Sequence, residues 1–100
     1  MTDEAIRLAG RDVARKFGLD PAATIMVGAL ATARRYGRVN AVPSAEERAE
    51  LLALAGDADH FERFVEAASS RASQFILCEG PWAVILGRAE RLSAQQAVVC

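Results

Sequence analysis

Apolar residues recur through most of the chain at the three- and four-residue spacing of a helix. Glycines, prolines and capping residues cut that pattern into five segments. Over residues 4–17, Ile6, Ala9, Val13 and Phe17 share one face, and Asp3–Arg7 and Asp12–Lys16 stand at the i,i+4 spacing of ion pairs. Gly18 suits the left-handed position after a helix, and Leu19 the apolar residue that completes a Schellman stop. Asp20-Pro21 then opens a second helix: the carboxylate caps free amides, and proline fits a first turn whose N–H has no partner anyway. This helix should run to Tyr36, with Arg34 and Arg35 at the negative end of its dipole and Gly37 as its stop.

The second segment departs from the amphipathic pattern. Residues 22–33 hold no charge, and Thr24 and Thr32 are their only hydroxyls. A helix apolar on every side is a buried one, so the other elements are expected to wrap around it. At twelve residues the stretch is too short to cross a bilayer, which takes about 20. Thr24, Gly28 and Thr32 fall four apart, so a neighbouring helix should approach closely along that line.

After a connector at 38–43, Ser44-Ala-Glu-Glu47 has the form of a capping box and predicts a short third helix to Ala55. Leu51, Leu52, Leu54 and Ala55 are its apolar residues, and Gly56 ends it. Asp57 or Asp59 opens a fourth helix, and Asp59 with Glu62 has the form of a second capping box. There Phe61, Phe64, Val65, Ala68, Ala72, Phe75 and Ile76 form one stripe, opposite Glu62, Arg63, Glu66, Ser70, Arg71, Ser73 and Gln74. Glu79-Gly80-Pro81 breaks the chain. A fifth helix from Pro81 onward sets Trp82, Ile85, Ala89, Leu92, Gln96 and Val99 at alternating three- and four-residue steps, which is a heptad seam. The expectation is an all-α fold, a compact bundle of about five helices in a single domain over 1–100. The rival is an α+β chain with a short C-terminal hairpin, built from the apolar runs at 75–78, 83–86 and 97–100. The helix preference of 88–96 favours the bundle.

Composition narrows the class without naming a function. Apolar residues make up 52% and charged residues 25%, which fits a folded chain and argues against disorder. Met-Thr-Asp-Glu at the start lacks the basic and apolar regions of a signal peptide, so a cytoplasmic location is expected. Cys78 and Cys100 form no disulfide framework and have no metal-ligand spacing. The abundance of Ala and Arg suggests a bacterial chain. Charge is uneven: residues 1–42 carry seven basic groups against four acids, and residues 43–100 five against nine. Such a split can attract an anionic partner to the first part, or let the two parts face each other. The imbalance is small, and the second is the expected outcome.

Asp12-Val-Ala-Arg-Lys-Phe-Gly18-Leu19 resembles the first helix and turn of the helix-turn-helix DNA-binding family, over about 15 residues in all. The resemblance implies a second helix that reads base edges. At the reading positions, however, this chain has Ala22, Ala23, Ile25 and Met26, with Thr24 at the family's buried position. Arg34, Arg35 and Arg38, grouped around Tyr36, are the candidate anion-binding residues, and Arg7, Arg11 and Arg15 could extend that surface. Arg34, Arg35 and Arg38 with the 12–36 hairpin make a nucleic-acid-binding regulator the alternative function.

His60 has Asp57, Asp59 and Glu62 near it, but its place at a helix start suits capping better than catalysis. Cys78, beside Phe75, Ile76 and Leu77, is expected to be a buried, inert thiol. No catalytic, cofactor or metal site is expected, and no membrane partner. The functional expectation is a non-enzymatic protein–protein interaction module, a small subunit, adaptor or chaperone-like protein. It should be dimeric through the C-terminal helix, with Trp82, Ile85, Ala89, Leu92 and Val99 as the contact residues.

Overall fold

In the computed structural model, the described residues are 2–37 and 43–98, the side chains of 96–98 excepted. They form five helices: α1 (Asp3–Lys16), α2 (Pro21–Tyr36), α3 (Ala45–Ala55), α4 (Phe61–Ile76) and α5 (Glu79–Val98). The described residues include no strand. The runs at 75–76 and 83–86 are helical, so the hairpin alternative does not form there, and 99–100 lie outside the described residues. The Cα radius of gyration, 13.4 Å, matches the ~13 Å of a compact 100-residue chain.

Helix boundaries follow local chemistry. Thr2 caps α1 by accepting the Ala5 N–H at 3.1 Å. The end of α1 is a full Schellman motif: the Leu19 N–H reaches the Ala14 carbonyl at 3.0 Å, the Gly18 N–H reaches that of Arg15 at 3.1 Å, and Gly18 sits at φ 85°. Asp20 caps α2 by accepting the Ala23 N–H at 3.1 Å, with Pro21 in the first turn. Ser44 and Glu47 form the reciprocal box at α3, at 3.2 and 2.7 Å. At the entry to α4, Asp57 is used and the Asp59 capping box does not form. His60, not Asp59, is the N-cap residue and makes no side-chain cap. Instead Asp57 accepts the His60 N–H, three residues on, at 2.9 Å just before the helix.

α2 is the centre of the molecule. It packs mainly on α1 and α4, while α5 runs along α1, and α3 touches α2 and α4 more lightly. Every residue from Ala22 to Ala33 is buried except Leu30, which is half-buried. The close crossing expected at Gly28 is present, and its counterpart is Gly10. A Cβ on Gly28 would stand 3.1 Å from the Arg7 carbonyl oxygen, and one on Gly10 3.3 Å from the Gly28 Cα. The two backbones therefore touch with no side chain between them. Thr32 donates back to the Gly28 and Ala29 carbonyls at 3.0 and 2.9 Å, and Thr24 to the Leu19 carbonyl at 3.3 Å. Both hydroxyls are thus satisfied within a buried helix.

The two charge-biased parts of the chain face each other. Arg7 pairs with Glu47, Arg11 with Glu50 at 2.8 Å, and Arg34 with Glu79 at 2.9 Å. Asp12 pairs with Arg88 at 3.0 Å and with Arg15 at 3.3 Å, and Asp20 with Arg71 at 2.8 Å. The Arg7 guanidinium reaches across to α3, where Glu47 is buried.

Candidate interaction surface

The heptad seam of α5 is used inside the chain. Ile85 and Ala89 are fully buried and Trp82 is 9% exposed, all within the hydrophobic core, with Leu92 partly buried against it. Val99 lies outside the described residues. A three-four stripe packs equally well on a helix of its own chain or on that of another copy. Here α1, whose buried face carries Ile6, Ala9 and Val13, takes it. As a surface open to a partner, Trp82, Ile85 and Ala89 are therefore corrected to core residues.

Arg34 is also drawn inward. Its guanidinium donates to the Ile76 carbonyl, one of the groups that the end of α4 leaves without a helical partner. It donates to Glu79 at 2.9 Å and lies 4.4 Å from the centre of the Trp82 ring. One side chain thus joins the end of α2 to the α4–α5 corner. Arg35 is exposed, with its guanidinium 5.6 Å from the Tyr36 ring centre, and Arg38 lies outside the described residues. Arg34 and Arg35 do not converge on a shared anion site. Arg7 and Arg11 face the carboxylates of α3.

The helix-turn-helix likeness stops at the turn. Ala22, Ala23, Ile25 and Met26, at the positions that would read bases, are at most 3% exposed. Residues 22–29 of α2, all buried, have no free face to lay in a groove.

His60 and Asp57 meet at the surface, Nδ1 to Oδ1 at 3.0 Å. The His60 N–H, and then its ring, hold the Asp57 carboxyl below the ordinary value of 3.8. The pair shapes the entry to α4. Among the described residues, no three His, Cys, Asp or Glu side chains are placed to hold a metal ion. Cys78 was expected to be buried and is exposed, its Sγ 3.3 Å from the Gln74 carbonyl, because α4 ends at Ile76 and turns the thiol outward.

The outer side of α5 is the surface that the seam argument overlooks. Opposite Trp82, Ile85 and Ala89 lie Gly80, Ala83, Val84 and Gly87, with Val84 47% exposed. A Cβ added to Gly80 or Gly87 would meet nothing within 4 Å. The signal in the sequence is two glycines seven residues apart on the side away from the seam. Compared with known protein families, curated proteins and solved structures, the chain matches none of them. No described helix is long and apolar enough to cross a membrane.

Proposed function

We propose that this protein is a non-enzymatic interaction module that pairs with a second copy of itself through the outer face of α5. The observation that carries the reading is Gly87. It stands inside a 20-residue helix, where glycine costs about 1 kcal/mol relative to alanine. Its φ is not positive, and a Cβ there would meet nothing within 4 Å, so nothing among the described residues calls for glycine there. A second helix lying across this face would. Gly80, Ala83 and Val84 continue the same smooth surface.

Charge fits an antiparallel arrangement. Crossing near residue 85 sets Ala83 of one copy over Gly87 of the other. It also brings Glu79 opposite Arg91, twice, by the two-fold symmetry of such a pair. The Trp82 side of the helix remains in each copy's own core.

Light scattering of the parent and of Gly87→Glu tests this. The parent should be a dimer, and Gly87→Glu a monomer with undiminished helicity, because the substitution itself favours helix. Leu92→Glu, on the inner side, should lower the melting temperature instead of separating folded copies. A parent that stays monomeric at high concentration ends the reading.

A further inference from the structure

Helix α3 is anchored by two buried side chains, Leu51 and Glu47, near its middle and its first turn. In its second half, residues 52–54 are exposed. Beside it is an open cleft of about 530 Å³ between α3, the side of α1, the α1–α2 turn and the first turns of α2. That volume lies inside the roughly 300–1,000 Å³ range of small-molecule sites. Its lining is divided. Leu19, Pro21 and Leu54 supply apolar surface, with Ile25, only 3% exposed, at its base; Leu54 is 46% exposed, more than a leucine packed in a core would be. Arg11 and Arg15, one helical turn apart on α1, supply cationic groups along one side.

The two arginines are committed to different degrees. Arg11 donates to Glu50 across the cleft at 2.8 Å. Arg15 has a side chain 66% exposed and reaches Asp12 at 3.3 Å, while the other Asp12 oxygen is held by Arg88 at 3.0 Å. Most of the Arg15 fork is therefore open. Beside the cleft, Asp20 adds little repulsion, because Arg71 clasps both its oxygens at 2.8 and 2.9 Å. A planar cation next to an apolar trough is matched by a planar anion with an apolar body. Carboxylate meets guanidinium through two parallel hydrogen bonds.

We infer that this cleft binds a free amphipathic monocarboxylate, of the medium-chain fatty acid kind, with its head on Arg15 and its chain along Leu19, Ile25 and Leu54. The site owes nothing to the outer face of α5, so it stands or falls apart from dimerisation.

Decanoate is the probe, followed by calorimetry and by methyl NMR shifts of Ile25 and Leu54. Decanoate should bind saturably and move those methyls. Decanol, which keeps the chain and loses the charge, and Arg15→Gln should each weaken binding roughly tenfold, the worth of a charge-assisted contact. Acetate should not bind measurably. Ala53→Trp, at an exposed position beside the cleft, should block decanoate and leave the circular dichroism spectrum unchanged. Equal binding of decanol, no effect of Arg15→Gln, or shifts confined to other methyls would each overturn the proposal. So would tighter binding of a short leucine-ending peptide carboxylate, which would assign the cleft to chain termini.

Discussion

Helices α2 and α3 start and stop by the same devices, and the rest of the chain treats them in opposite ways. Each has a side-chain cap at its first turn, Asp20 or Ser44, and each ends on a left-handed glycine, Gly37 or Gly56. Yet eleven of the sixteen residues of α2 are buried, against two of the eleven in α3. Caps decide where a helix begins and ends. What holds it in place depends on the residues between the caps, and on which neighbours can reach them. α2 offers small residues on every side and is enclosed. α3 offers Leu51 and Glu47, is held at one place, and leaves Leu52 and Leu54 at the surface.

Truncating an equivalent apolar residue on each helix should separate the two most sharply. Met26→Ala removes a side chain that is 2% exposed and should lower the unfolding free energy by about 2–5 kcal/mol in urea titrations. Leu52→Ala, at a position 43% exposed, should change it by no more than about 0.5 kcal/mol. Similar losses from both would mean that α3 is built into the core as firmly as α2.

Gly28→Leu addresses why α2 can be enclosed at all. The new side chain would start 3.1 Å from a backbone oxygen of α1, which cannot turn aside as a flexible side chain can. The overpacking should cost about 1–3 kcal/mol, more than the gain in helix propensity returns. Thermal melts check this, and a variant as stable as the parent would disprove the tight crossing.

The smallest effect belongs to the α2 cap. The Arg71 hydrogen bond, aided by the Ala23 N–H, holds the Asp20 carboxyl below its ordinary value of 3.8. Its folded-state pKa is depressed, so its contribution is present above pH ~4 and lost as pH falls through the lowered value. With 43% of the side chain exposed, the contribution should stay below about 1 kcal/mol. Asp20→Asn, which still caps but cannot titrate, should flatten the acid limb of stability against pH. An unchanged limb would mean that other carboxylates produce it.

Local signals were the legible part of this fold. Gly18-Leu19, Asp20-Pro21 and Ser44 with Glu47 each act within a few residues of chain, and each did in the structure what its spacing implied. The burial of 22–33 was legible because a stretch without charges has no side to show to water. Contacts between distant elements were less so. Gly28 announced a close crossing, but nothing near it in sequence pointed to Gly10. The α5 stripe could be read, and whether it faced α1 or another copy could not, since both produce the same spacing. Arg34 looked like a surface cation because its three partners, Ile76, Glu79 and Trp82, lie more than forty residues along the chain. The cleft beside α3 had no sequence signature, because a gap is a property of how helices diverge.

The position of Trp82 gives the molecule an optical property of its own. It is the chain's single tryptophan, nearly shielded from water and set under a guanidinium where α2, α4 and α5 come together. Its emission therefore reports on that junction. Far-ultraviolet ellipticity, by contrast, counts every helical turn, including those of α3. From one unlabelled sample, the two signals distinguish a chain that has loosened a peripheral helix from one that has lost its centre.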